Sequence, residues 1–149
     1  MKVLLAIDQS RFSEAATKAL LRQVRTDNTE VCVLHVVKPL LLIPYAYIGQ
    51  VGDLGQAEEE ELERGKEVVA HAGQLLVNAG FKTRALVEKG DPRAVIIDHA
   101  TRWNADLIML GSHGLKGLDR LLMESVSEAV LRHARCSVEI VRIPLAAAT

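Results

Sequence analysis

The residues best suited to chemistry lie where glycines follow a short apolar run near the end of the chain. Leu107 to Leu110 stops at Gly111-Ser112-His113-Gly114, and Ser125-Val126-Ser127-Glu128 then begins a helical pattern. A strand that leads through a glycine-rich loop to a helix N-terminus leaves backbone N–H groups uncovered, and the helix dipole there favours negative charge. The pattern therefore predicts an anion site.

Two other chemistries are disfavoured by the residue types present. His113 lies near Ser112 and Asp119, but adjacent side chains point in different directions, so nothing orients a base against a nucleophile. The remaining candidates do not have the spacing of zinc ligands: His35, His71, His99, His133, Cys32 and Cys136. We therefore predict no hydrolytic triad, no metal site and no enzymatic activity.

Composition restricts the class of protein. The chain has 149 residues, and we expect residues 1–149 to form one domain with a real core. Hydrophobic residues make up 49% and charged residues 25%, as in soluble globular proteins. The formal net charge of -1 gives no electrostatic footprint for nucleic acid, so we predict no nucleic-acid partner.

No segment predicts export or membrane insertion. No apolar stretch approaches the length of a membrane span, and Val3 to Ile7 is shorter than the apolar core of a signal peptide. Two cysteines do not make a disulfide framework, which fits a reducing compartment. We expect a cytoplasmic protein without a membrane partner, complete from Met1, with a disordered tail at residues 144–149.

Buried strands are predicted from continuous apolar runs, which are typical of strands covered on both faces. These runs are Val3–Ile7 and Glu30–Val37, and further strands are predicted at Asp106–Leu110 and, before the tail, at Ser137–Arg142. Residues 81–88 alternate instead, which predicts a half-exposed strand at a sheet edge. One side of that strand is predicted to carry Phe81, Thr83, Ala85 and Val87.

Helices are predicted between these strands. Ser10 or Ser13 caps the first helix, and the acidic run from Glu58 begins the second after an irregular excursion from Pro39 to Gly55. The second helix ends at Asn78-Ala79-Gly80, which is a C-cap signal.

The third and fourth helices have equally local signals. Asp91 and Pro92 begin the third helix. Its buried face is predicted at Ala94, Ile97 and Ala100 or Thr101. The fourth is predicted from Ser125 to His133, where Ser125 and Glu128 have the spacing of a capping box. Strands that alternate with helices predict a parallel sheet with right-handed crossovers and a ligand site outside the carboxyl ends of its strands.

Several motifs resemble one family. The chain carries, in order, VLLAIDQSRFSEAATKAL, HVV at the end of the second strand, GDP before the third helix, DLIMLGSHG and SVSEAVLRHARCSVEIVR. On these segments it resembles the universal stress protein family over nearly its whole length. The resemblance implies an α/β fold with an open, doubly wound, parallel five-stranded sheet of order 3-2-1-4-5 and helices on both faces. Such a fold is Rossmann-like and similar to that of the adenine nucleotide alpha hydrolases.

The resemblance also implies an adenine-nucleotide crevice, because some members bind ATP or related nucleotides. In those members, phosphate is held by glycine, two residues, glycine, nine residues, glycine, and then serine or threonine. Gly111, Gly114 and Ser125 match that pattern, whereas Glu124 stands where the third glycine is expected. The other contacts that the resemblance implies are Ala6, Asp8 and Ser10 near ribose or adenine, Val37 at the adenine edge, and Leu110, Lys116, Val126 and Ser127 near phosphate.

Glu124 leaves two interpretations open. A carboxylate about 4 Å from phosphate costs several kcal/mol before screening, so Glu124 occupying the anion niche weakens or prevents triphosphate binding. Alternatively, Glu124 turns outward and the loop still holds phosphate. The expected ligand is ATP, with or without Mg²⁺.

The resemblance further implies a homodimer through antiparallel pairing of the last strand, Val138 to Arg142. We weigh three functions: a stress-response regulatory module that binds an adenine nucleotide, a nucleotide-free homodimeric interaction protein, and a slow ATP hydrolase. The first is favoured, and no residue that would position water supports the third.

Overall fold

The computed structural model describes residues 1–39, 54–112 and 125–143. Strands and helices alternate along these ranges. In chain order they are β1 (Lys2–Ala6), α1 (Arg11–Gln23), β2 (Glu30–Val37), α2 (Leu54–Asn78), β3 (Lys82–Lys89), α3 (Pro92–Trp103), β4 (Leu107–Gly111), α4 (Val126–His133) and β5 (Ser137–Val141). The predicted tail at residues 144–149 and most of the Pro39 to Gly55 excursion lie outside the described residues.

One parallel sheet joins all five described strands in the order β3-β2-β1-β4-β5. Strand β1 is central, with Leu4 opposite Cys32 on one side and Ile108 on the other. The predicted α/β fold, its parallel strands and its strand order are therefore confirmed. Strand β3 lies at an edge, as its alternating sequence predicts.

Two hydrophobic clusters cover the two faces of the sheet. Odd-numbered strand residues such as Leu5 and Met109 pack with α1 and α2, and even-numbered ones such as Leu34 and Ile108 pack with α3 and α4. This division follows from the two-residue period of a strand. It explains why the central strands are apolar without interruption.

Local capping signals set most helix ends. The Ser10 Oγ atom accepts a hydrogen bond from the Ser13 N–H at 3.3 Å, so Ser10 is the N-cap of α1. Asp91 caps α3 with Pro92 in its first turn, as predicted. Gly80 ends α2 with a φ of +102°, where the Gly80 and Phe81 N–H groups donate to the carbonyls of Val77 and Leu76.

The predicted face of α3 is confirmed at Ile97 and Ala100 but is wrong at Ala94. The helix buries Ile96, His99 and Ala100, whereas Ala94 and Thr101 are exposed. The sequence pattern places polar residues outward, but the ring of His99 has polar partners beneath the helix and is only 8% exposed. A hydrogen-bonded histidine therefore takes a position that an apolar residue was expected to hold.

The second helix begins earlier than the acidic run predicts. Helix α2 starts at Leu54, so Gly55 belongs to its first turn and not to the excursion. The Gln56 side-chain amide donates to Glu60 at 3.3 Å, a helical i to i+4 contact that supports this earlier start.

The bounds of β1, β4 and β5 differ from their predicted bounds by about one residue. Ser125, the predicted first residue of α4, is the N-cap that immediately precedes the helix.

Two glycines inside α2 give a matched test of its packing. A Cβ atom at Gly65 would lie 2.7 Å from the His35 ring, whereas one at Gly73 would make an ordinary 3.6 Å contact with Ala85. We expect Gly73→Ala to raise the free energy of unfolding by about 0.5–1 kcal/mol, because alanine favours the helix. Gly65→Ala is expected to lower it by about 1–3 kcal/mol through overpacking. Urea denaturation of both variants measures the difference, and stabilisation by Gly65→Ala would contradict the packing described.

Candidate functional site

The candidate site lies where β1 and β4 end side by side in the middle of the sheet. Ala6 pairs with Leu110 at this edge. After β1 the chain passes through α1 on one face before it joins β2, whereas α4 follows β4 on the opposite face and leads to β5. Connections that diverge in this way leave a crevice between the two strand ends. We call this region the β1/β4 crevice.

Asp8 begins one side of the β1/β4 crevice. Its Oδ1 atom accepts hydrogen bonds from the Ser10 N–H at 2.8 Å and from the Ser13 hydroxyl at 2.9 Å, and its own N–H donates to Ser13 Oγ at 2.7 Å. The carboxylate thus sits at the N-terminus of α1, where the helix dipole stabilises negative charge. Asp8 and Ser10 therefore have structural roles that need no ligand.

Gly111 ends β4 directly against the first turn of α1. A Cβ atom at Gly111 would lie 2.6 Å from the carbonyl oxygen of Phe12 and 2.7 Å from its carbonyl carbon. Backbone atoms cannot move aside as the end of a flexible side chain can. Gly111 is thus required by the packing of α1 on β4, in addition to any contact with phosphate.

Three serines connect the end of β4 with the start of α4. The Ser127 hydroxyl donates to the Ser112 carbonyl at 3.0 Å, and Ser125 Oγ lies 3.2 Å from Ser127 Oγ. Ser125 Oγ also accepts from the Glu128 N–H at 3.2 Å, which confirms the predicted cap. The N–H groups of Val126 and Ser127 lie in the first turn of α4, where no helical carbonyl lies one turn earlier to accept from them. Helix α4 therefore provides hydrogen-bond donors near Ser112.

The other predicted contacts divide into two groups. Ala6, Val37 and Leu110 are at most 7% exposed, so only their backbone is suited to meet a ligand. The Val37 carbonyl already accepts a hydrogen bond from the Gly90 N–H at 3.0 Å. Gly114, Lys116 and Glu124 lie outside the described residues. The contacts of the predicted residues with a ligand stay predictions.

Two polar groups near the β1/β4 crevice were not predicted. His35 Nδ1 lies 2.7 Å from the carbonyl oxygen of Ile7, so the ring donates to the backbone one residue before Asp8. The second group contains Cys32, His99 and Glu88 on the face covered by α3. Both are tertiary contacts between segments that are distant in sequence, and only the HVV motif drew attention to His35.

Burial raises the pKa of both cysteine thiols, Cys32 and Cys136. At Cys32, burial outweighs the nearby Arg84 guanidinium, which acts on the pKa in the opposite direction. Cys32 is therefore kept as a neutral thiol. Within residues 1–39, 54–112 and 125–143, no three metal-ligating side chains form a cluster, and no helix has the length and apolarity to cross a bilayer.

The fold and the β1/β4 crevice define a Rossmann-like α/β protein. The model of the universal stress protein family matches residues 1–142, so the chain belongs to the universal stress protein family. A putative universal stress protein of Staphylococcus epidermidis is 34% identical over 143 residues, which cover 94% of this chain and 82% of that protein.

Solved structures share this fold over nearly their whole length. The universal stress protein UspA of Lactobacillus plantarum superposes with a TM-score of 0.79 at 23% identity, covering 95% of this chain and 97% of the other. A family member from Arabidopsis thaliana with AMP bound gives 0.72 at 20% identity, covering 98% and 94%. A universal stress protein in complex with cAMP gives 0.67 at 21% identity, covering 95% and 96%.

The packing of Gly111 is tested by Gly111→Ala. The new methyl group would overlap the Phe12 backbone, so we expect the free energy of unfolding to fall by about 1–3 kcal/mol. Gly73→Ala is the control, since the same methyl group has room there. Urea denaturation at two wavelengths checks the change, and an unchanged midpoint would show that β4 and α1 separate at little cost.

Proposed function

We propose that this universal stress protein is a stress-response regulatory module that binds an adenine nucleotide in the β1/β4 crevice. The observation that carries the proposal is the hydrogen bond from Ser127 to the Ser112 carbonyl. It holds the donor end of α4 beside the end of β4, at the position where parallel sheets of this kind bind ligands. The AMP and cAMP complexes of two structural neighbours support adenine as the base.

The proposal assigns phosphate to the segment that begins at Gly111 and returns at Ser125. Backbone N–H groups at the start of α4, which the Ser127 hydroxyl holds beside Ser112, supply donors and a favourable dipole. Asp8 would accept a hydrogen bond from a ribose hydroxyl while it continues to cap α1. Val37, whose strand ends at the same edge, would contact the base through its backbone.

The proposed role is binding without turnover, in the cytoplasm. Oδ1 of Asp8 already accepts hydrogen bonds from the Ser10 N–H and the Ser13 hydroxyl, so this oxygen is engaged at the start of α1 and not aimed at a water molecule. Cys32 and Cys136 are free thiols, as expected in a reducing compartment. We keep ATP as the ligand of first choice and treat Mg²⁺ as a variable of the binding experiment.

Glu124 controls affinity in this proposal. It directly precedes Ser125, the N-cap of α4, so its carboxylate competes with phosphate for the same dipole and the same donors. A side chain there also excludes the close backbone approach that glycine permits. The loss of binding affinity should therefore be largest for the nucleotides with the most phosphate groups.

A nucleotide-free homodimeric interaction protein is the second candidate. Strand β5 is a sheet edge, and Val138, Glu139, Ile140 and Val141 are only partly buried in one copy. Such an edge presents unpaired N–H and C=O groups that a second copy can pair with. A dimer is compatible with either function, so the nucleotide titration decides between them.

Calorimetric titration of AMP and ATP, with and without Mg²⁺, tests the role of Glu124. We expect Glu124→Gly to bind ATP at least about tenfold more tightly than the unmodified chain, because a repulsive charge near phosphate is removed. Glu124→Gln separates charge from size, and the increase should be smaller for AMP. Glu128→Gln, in the first turn of α4, is the control and should leave affinity nearly unchanged. Equal, tight ATP affinities in the unmodified chain and Glu124→Gly would exclude the competition; no binding to either favours the second candidate.

Dimerisation through β5 is tested at Arg142, which is exposed and immediately follows the strand. The Val141 carbonyl accepts from Ser112 within the same copy, so the alternate residue Arg142 directs its N–H to the free edge. We expect Arg142→Pro to weaken the dimer about tenfold by removing that donor, and Arg142→Ala to leave it intact. Sedimentation velocity measures the masses, and a monomer for the unmodified chain would refute the dimer.

A further inference from the structure

Three contacts join β3 to α3 in an antiparallel series. The Arg84 guanidinium lies 5.1 Å from the centre of the Trp103 ring. Further along the strand, Glu88 Oε1 lies 3.1 Å from His99 Nδ1. At the turn that follows β3, a Cβ atom at Gly90 would lie 2.7 Å from Val95 Cγ2, so the turn packs directly against the helix. The helix is thus held along the length of an edge strand.

Cys32 extends the middle contact into the centre of the protein. Its Sγ atom lies 3.6 Å from His99 Nε2, while Nδ1 of the same ring faces Glu88. Cys32 is fully buried, His99 is 8% exposed, and the Glu88 side chain is 32% exposed. We call Cys32, His99 and Glu88 the α3 clamp, because they connect β2, α3 and β3.

The direction of the hydrogen bonds in the α3 clamp follows from Glu88. A carboxylate oxygen can only accept, so Nδ1 of His99 carries a proton and donates it to Glu88. In the ring tautomer that has its proton on Nδ1, Nε2 accepts from the Cys32 thiol, whose pKa is raised by burial. Every member has a partner of the correct kind, as a polar group under a helix requires.

The α3 clamp acts on the backbone that ends β2. Gly90, two residues after Glu88, donates its N–H to the Val37 carbonyl at 3.0 Å. Gly90 has a φ of +147°, and Asp91 caps α3 immediately afterwards. If α3 shifted relative to β3, the short Gly90 turn would move with it, and so would the hydrogen bond to Val37.

We infer that Cys32, His99 and Glu88 are positioning residues that hold the Val37 end of β2 for the base of a purine nucleoside. This inference rests on the proposed function, since it assigns Val37 to the base. Cys32 and Glu88 of the α3 clamp lie on β2 and β3, whereas the phosphate end of the crevice lies at β4, on the far side of β1. It should therefore influence binding of the nucleoside without changing binding of a phosphate chain.

Substitutions at Glu88 test the inference with little risk to folding, because its side chain is partly exposed. Glu88→Met keeps the length of the side chain but removes the acceptor, whereas Glu88→Gln keeps an acceptor oxygen. We expect Glu88→Met to weaken adenosine binding about fivefold, because part of the free energy of the lost hydrogen bond is transmitted to Val37, and Glu88→Gln to restore it. Tripolyphosphate binding should change less than about twofold in both variants. Ile96→Val, on the same buried face of α3, controls for a general loss of stability.

A second readout needs no nucleotide. Hydrogen exchange at the Gly90 amide reports its bond to Val37, and we expect faster exchange in Glu88→Met than in Glu88→Gln or Ile96→Val. Nitrogen-15 spectra should place the His99 proton on Nδ1 in the unmodified chain and in Cys32→Ser, and less completely so in Cys32→Ala.

The results distinguish failure of the proposed function from failure of the positioning role. If the unmodified chain binds neither adenosine nor AMP, the proposed function fails, and exchange at Gly90 still decides the positioning role. Equal Gly90 exchange in all Glu88 variants overturns the inference. So does a parallel loss of adenosine and tripolyphosphate binding, because that pattern indicates a general structural role.

Discussion

The pairing of β1 with two neighbours is the constraint on which the rest of the structure depends. Its five residues pair with β2 on one side, four of them pair with β4 on the other, and its side chains fill both cores. Slipping β1 by one residue would move Leu5 into the core under α3 and Leu4 into the opposite core. The same register brings Ala6 and Leu110 together, so the position of the crevice follows from the packing of the sheet.

The elements that the sequence predicts best are those with a local cause. Asp91-Pro92 and Asn78-Ala79-Gly80 mark helix ends because capping involves only neighbouring residues. The strand order was available only from the resemblance to a family, since hydrophobic runs do not say which strands are adjacent. His99 was missed from the buried face of α3 because its partners come from two other strands, and no spacing within the helix contains that information.

In the candidate site, too, the features with a local cause were predicted from sequence, and those that depend on distant segments were not. The Ser125 cap follows from its spacing to Glu128, and the structure contains it. The close packing of Gly111 on Phe12 depends on two segments about a hundred residues apart, so sequence alone gave that glycine only a role in phosphate binding. Gly111 therefore has two independent reasons to be glycine, and its presence is a weaker sign of nucleotide binding than the motif implies.

The contact of Gly65 with His35 has a consequence for how related sequences can diverge. The histidine ring occupies the space that a side chain at position 65 would need, and the same ring holds the Ile7 carbonyl just before Asp8. A descendant that gains a methyl group at position 65 keeps this packing only if position 35 becomes smaller, and it then loses the bond to Ile7. Positions 35 and 65 should therefore be substituted together during evolution. Sequence changes in α2 are in this way coupled to the backbone of the crevice.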